Sequence, residues 1–254
     1  MALNTLYIYG DSFSVDYKCD WVWTRQLAHL LNNSGLISSM VNHSLAGSSN
    51  DWIATHIDQT YDRWCEGDYV LHIPTEFSRQ WWFKDEPELC NLVNMQNSEE
   101  AKTLRRNQPQ QYNTVLQYFA HLHRPEIDVL RWKQHCGWVE NLARNRGVNF
   151  IQLPAFPIDE QTLSLTSTVS HWEFVDESAC NTWYSKGLDT RYNHICRSNH
   201  TVLADKLHNS FTRQLPLDLT QGWHTSFLQP GDRLTLDREL GDQLITRAKS
   251  RITI

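Results

Sequence analysis

Four short apolar runs punctuate the chain, and each ends at a residue that favours a turn or at a polar stretch. Leu6-Tyr7-Ile8-Tyr9 stops at Gly10, residues 37–41 lead into Asn42-His43, residues 68–73 stop at Pro74, and residues 148–153 stop at Pro154. Runs of this length, rich in β-branched and aromatic side chains, predict strands, and nearly unbroken apolar character suits a parallel sheet covered on both faces. Between the runs the spacing turns helical. Leu27, Leu30 and Leu31 share a face within 23–32, residues 51–64 predict a second helix, and Ile127, Leu130, Cys136, Val139 and Leu142 recur through 126–145 before a stop at Gly147. Strands alternating with helices, joined by right-handed crossovers, predict an α/β fold: a three-layer α/β/α sandwich with a mainly parallel sheet, flavodoxin-like in its layering.

The remaining segments follow no such pattern. An insertion at about 80–125 interrupts the third crossover; it is polar, and Ser98-Glu99-Glu100-Ala101-Lys102 within it predicts a helical or lid-like element. Residues 156–190, with Trp172 and Trp183, carry no firm period and predict a long loop walling a pocket. Residues 1–215 make up the expected main domain. Residues 216–254 form a C-terminal extension with a short strand at 233–236 and a helix at 238–248.

The chemistry gathers where strands end, which is where parallel α/β sheets place their sites. After the first strand comes Gly10-Asp11-Ser12. Glycine permits a sharp turn, which holds a serine hydroxyl at the mouth of the sheet near backbone N–H groups that can stabilise developing negative charge. Taken alone, the tripeptide also suits an ordinary turn with Ser12 as a helix cap. The second strand leads to Asn42-His43-Ser44-Leu45-Ala46-Gly47-Ser48-Ser49-Asn50-Asp51, and the third to Pro74-Thr75-Glu76-Phe77-Ser78-Arg79. Much later stands His194, followed by Asn199-His200 and Leu203-Ala204.

This ordered set resembles the GDSL, or SGNH, hydrolase family over roughly the first 210 residues. The resemblance implies that Ser12 is a nucleophile, that His194 is its base, and that the N–H groups of Ser12 and Gly47 form an oxyanion hole. It implies ester cleavage through an acyl-serine intermediate, with O-acetylated carbohydrate or a similar small acyl ester as substrate. Two departures stand out. The third block of the family carries a Gly-x-Asn whose amide donates to the oxyanion, whereas this chain has neither residue there. Thr75 or Ser78 could offer a hydroxyl instead, and Arg79 could equally face an anionic group or stand as a solvated surface charge. Arg191 also stands where the family has the aspartate that orients the histidine. Asp189 is the nearest candidate, a backbone carbonyl is its competitor, and a Ser–His dyad is the third arrangement. His200 is the rival base, assigned by family position to the helix start, and Asp11 is expected to accept hydrogen bonds within its loop.

Serine needs such a base, and imidazole titrates in the range that allows it to take and return a proton. No cofactor is expected. His121-Leu122-His123 lacks a third ligand at helical spacing, so no metal is expected either. With 29 acidic against 23 basic side chains, the chain carries no basic excess for nucleic acid. The 6 cysteines show no regular spacing and are expected as reduced thiols. No run reaches the length of a membrane span, and the first residues lack a signal-peptide pattern, which leads to an expected cytoplasmic location with a virion as the alternative. The 11 tryptophans are expected mostly in packing roles. In Trp81-Trp82 neighbouring side chains face opposite ways on extended chain, so one of the pair could line the mouth as a substrate contact. The rival to an esterase is an SGNH-fold structural or binding protein that is weakened or inactive, such as a phage virion component. Self-association or virion assembly accompanies either reading.

Overall fold

The computed structural model describes residues 4–16, 20–81, 99–159, 162–165, 195 and 197–223. In chain order the elements are β1 (Asn4–Tyr9), α1 (Trp23–Asn33), β2 (Ile37–Asn42), α2 (Asn50–Thr60), β3 (Tyr69–His72), α3 (Glu99–Asn107), α4 (Pro109–His121), α5 (Pro125–Arg146), β4 (Asn149–Gln152) and α6 (Arg197–Arg213). The strands form one parallel sheet in the order β2-β1-β3-β4, with β3 and β4 in register from Tyr69 against Asn149 to His72 against Gln152. The α/β architecture expected from the alternating pattern is therefore present. In this order the connection from β1 leads outward to β2 and the next returns past β1 to β3. The carboxyl ends of β1 and β3 thus flank the reversal point where open α/β sheets bind their ligands.

Contacts divide the chain into two compact units, residues 1–6, 16–41 and 161–254, and residues 7–15 and 42–160. In the first, α1 packs against α6, and Leu27, Leu31, Leu203 and Leu207 are buried. Ser34 at the end of α1 hydrogen-bonds the Nε2 of His208 at 2.9 Å.

In the second unit, Tyr7, Tyr9 and Val70 of the sheet are packed with Ile53 and Ile57 of α2, Trp64, and Val139 and Ala143 of α5. The phenol of Tyr9 joins this core through Thr60 at 2.8 Å and the indole N–H of Trp64 at 3.0 Å, and burial pushes its pKa up to about 12. Leu6 and Ile8, alternating with the tyrosines, are fully buried as well, as expected of a central strand.

Helix α5 ends where expected, with Gly147 at φ 66° closing it. Its buried stripe is Asp128, Trp132, Cys136, Val139 and Ala143, whereas Ile127 and Leu130 of the expected repeat are exposed. The insertion supplies α3 and α4 with a small core of their own: Ala101, Leu104, Tyr112 and Val115. Trp82, Trp172, Trp183 and the expected elements at 233–236 and 238–248 lie outside the described residues.

Candidate active site

Gly10 explains the sharp turn. A Cβ there would meet the Ser14 Oγ at 2.3 Å and the Ile73 Cβ at 2.7 Å, because β1 and β3 converge as Ile73 N–H donates to the Tyr9 carbonyl at 2.8 Å. Asp11 follows, fully buried, and organises the turn. Its Oδ1 accepts from the Phe13 N–H at 3.1 Å, and its carbonyl accepts from the Ser14 N–H at 3.0 Å and the Ser14 hydroxyl at 3.2 Å. Asp11 is thus the loop acceptor the sequence suggested. Ser12 lies within this turn, half-buried.

The loop after β2 is stitched to the same turn. The Gly10 carbonyl accepts from the Leu45 N–H at 3.1 Å and from the Ser48 hydroxyl at 3.3 Å. Asn42 donates to the Ser14 carbonyl at 2.7 Å, and the Ser44 and Ser14 hydroxyls are 2.8 Å apart. Between these anchors Gly47 adopts φ 77°, a left-handed conformation that a side chain would strain. Ser49 then caps α2 by accepting from the Trp52 N–H at 3.2 Å. The structure therefore brings the Ser12 turn and the Gly47 loop side by side.

The loop after β3 completes the frame but not in the manner expected. Thr75 is fully buried and donates its one hydroxyl proton to Asp11 Oδ2 at 2.5 Å, so this hydroxyl holds the turn rather than an oxyanion. Ser78, the alternative donor, gives its proton to Glu76 Oε1 at 2.8 Å. Asn50 brackets the Thr75 backbone, accepting from its N–H at 2.9 Å and donating to its carbonyl at 3.2 Å. The indole N–H of Trp132 reaches the same carbonyl at 3.0 Å.

Arg79 meets an anion, as its charge suggested, but the anion is internal: Nη1 lies 3.1 Å from Asp11 Oδ2 and 3.3 Å from the Ser48 carbonyl. Trp81 is half-buried. His200 is placed in α6, where its Nδ1 accepts from the Trp23 N–H at 3.1 Å and its ring stands edge-on to Trp21. His194, Asp189 and Trp82 lie outside the described residues.

Two polar clusters went unnoticed in the sequence. Buried Asp128 accepts from His123 Nε2 at 2.6 Å and from Gln80 at 3.1 Å. Five residues and a helix start separate the first pair, and only the fold reveals it. The second cluster joins His72 of β3, His135 of α5 and Gln152 of β4. His72 Nδ1 is 3.0 Å from Gln152 Oε1, and the two imidazole Nε2 atoms are 3.0 Å apart. With Gln152 accepting, His72 carries its proton on Nδ1 and accepts from His135 Nε2–H. Burial holds His72 well below the usual histidine range and lowers His135 to about 4, so both are neutral. The available signal was a histidine inside an otherwise apolar run.

Among the described residues no group of three or more His, Cys, Asp or Glu could hold a metal ion, and no helix is long and apolar enough to cross a membrane. Compared with known proteins, the chain matches no family model and no curated protein.

Proposed function

We propose that the protein is a serine esterase of SGNH type, acting on a carbohydrate O-acetyl group or a similar small acyl ester. The observation that carries this reading is the shared carbonyl of Gly10. By accepting from both Leu45 and Ser48 it sets the Ser12 turn beside the Gly47 loop, at the carboxyl end of a central parallel strand. In this scheme Ser12 Oγ attacks the ester carbonyl while His194 takes its proton. The N–H groups of Ser12 and Gly47 receive the oxyanion. Collapse of the tetrahedral intermediate expels the alcohol, which takes the proton back from His194. Water, deprotonated by the same imidazole, then attacks the acyl carbon; the Oγ–acyl bond breaks, the carboxylic acid leaves and His194 returns the proton to Ser12 Oγ. Asp189 is the candidate for orienting His194, and Trp81 and Trp82 are candidates for contacting the sugar.

A second reading, a non-catalytic SGNH-fold binding or structural protein such as a virion component, draws support from one feature. The Thr75 and Ser78 hydroxyls after β3 both donate within the protein, so neither replaces the amide of the family's third block. Hydrolysis of p-nitrophenyl acetate separates the two. Ser12→Ala is expected to lower kcat by about 10³-fold or more, as loss of a nucleophile does. Equal rates for both proteins would end the esterase reading and favour the second. Cytoplasmic or virion location and self-association go with whichever reading survives.

A further inference from the structure

We propose that Arg79 is a positioning residue that sets the width of the oxyanion hole, taking over through the backbone what a third donor does elsewhere. This rests on the esterase reading for its kinetic consequence, although the geometry stands without it. One nitrogen, Nη1, carries two protons and directs them to two different loops. It donates to Asp11 Oδ2 at 3.1 Å and to the Ser48 carbonyl at 3.3 Å. Asp11 precedes Ser12 and Ser48 follows Gly47, so this guanidinium nitrogen binds a sequence neighbour of each residue proposed to offer an oxyanion N–H, through a carboxylate in one case and a main-chain carbonyl in the other.

The guanidinium is itself held on several sides. Its Nε lies 3.5 Å from Glu76 Oε2, and its carbon sits 5.3 Å from the centroid of the Phe156 ring. That ring also packs edge-to-face on Phe13, with centroids 5.3 Å apart, next to Ser12 on its other side. The Gly47 loop is closed from within by Ser48 N–H donating to the Leu45 carbonyl at 3.2 Å. The loop and the turn, already stitched together at the Gly10 carbonyl, are therefore bridged a second time by one planar cation, a task for which the compact ammonium of lysine on its flexible stem is a poor substitute. Glu76 adds a second carboxylate beside the Asp11–Arg79 pair.

The test compares kcat and KM for p-nitrophenyl acetate in Arg79→Met, Arg79→Lys and the wild type. A displacement on the order of 1 Å in catalytic geometry costs about 100-fold. Arg79→Met is therefore expected to lower kcat by about 100-fold with KM nearly unchanged, and Arg79→Lys to recover part of the loss. A wild-type kcat in folded Arg79→Met overturns the proposal. Should Arg79→Met fail to fold with Asp11 left unpaired, the double variant Asp11→Asn/Arg79→Met removes both charges. The same kcat loss in that folded protein supports the clamp, and wild-type kcat overturns it.

The amide signals of Ser12 and Gly47 in ¹⁵N–¹H spectra provide a readout independent of activity. Shifted signals with faster hydrogen exchange in Arg79→Met support the clamp, whereas unchanged signals overturn it. An inactive wild type whose amides respond in this way would end the esterase reading while leaving the clamp in place.

Discussion

Two of the places where the second unit buries polar groups treat them in opposite ways. At the mouth, Asp11 is fully buried and its carboxylate receives three hydrogen bonds, from Phe13 N–H, the Thr75 hydroxyl and Arg79. Between the sheet and α5, His72 is equally buried, and among the described residues its side chain hydrogen-bonds Gln152 and a second imidazole. A buried ion is tolerated when a counter-ion and several donors compensate its lost hydration, and where they are missing the group sheds its charge instead. The mouth thus keeps a fixed ionic frame beside Ser12, while the interior keeps a neutral pair that ties β3, β4 and α5 together. The first arrangement depends on partners being present. The second depends on a proton being absent.

The largest effect should come from removing the mouth's anion. Asp11→Ala takes the buried carboxylate from Arg79, whose side chain is 11 % exposed and which keeps Glu76 Oε2 at 3.5 Å, and it also removes the acceptor of the Thr75 hydroxyl and the Phe13 N–H. Breaking a buried pair from one side costs about 3–5 kcal/mol. Urea unfolding should register that loss, and a change below about 1 kcal/mol, the usual worth of an exposed pair, would show that the network is only a surface contact.

Gly10→Ala attacks the same frame sterically. The new methyl would press on the Ser14 hydroxyl and on Ile73 at 2.3 and 2.7 Å, with the Ile73 carbonyl at 3.1 Å. Ile73 belongs to the end of a central strand and cannot swing aside as a surface side chain could. Overpacking of this kind costs about 1–3 kcal/mol, and the upper end is expected in thermal or urea unfolding. Because the displaced atoms adjoin the Ser12 turn, the proposed esterase activity should fall further than stability alone predicts. A variant of wild-type stability would mean that the strand ends separate freely.

What could be read from the sequence follows the range of the interactions involved. The strands and α5 were legible because apolar runs and Gly147 act locally; Gly10 was legible as a turn after the first run, whereas the close approach of Ile73 that requires a glycine there was not. Helix α2 was expected to reach 64 but ends at Thr60, followed by a 3₁₀ turn at Tyr61–Arg63. There the Thr60 hydroxyl turns back to the His56 carbonyl at 2.6 Å while meeting the Tyr9 phenol, and Trp64 turns into the core to join that phenol. Tertiary packing overrides helical propensity at that point. The role of Thr75 was misread for a similar reason. Its partner Asp11 lies 64 positions away, and only the pairing of β1 with β3 decides that its hydroxyl meets a carboxylate rather than a substrate.

The smallest effect tests the neutral pair, and its sign follows from which state holds the proton. In the unfolded chain His135 binds a proton near its ordinary 6.5, whereas in the fold it does so only near 4. Between those values the unfolded state holds more protons. The contribution to stability is therefore complete above pH 6.5 and drains away as pH falls toward 4. The shift corresponds to on the order of 2 kcal/mol once trimmed for the half-buried position of His135. His43 and His208 are also lowered by burial and add losses of the same sign, so a pH scan of the wild type alone does not isolate the pair. His135→Gln does. Its amide can still donate to His72 Nε2 but has no proton to gain, so its unfolding free energy should fall less between pH 6.5 and 5 than that of the wild type. Parallel pH profiles for the two proteins would mean that the imidazoles are charged or solvated in the folded state, and the contrast between an ionic mouth and a neutral interior would fail.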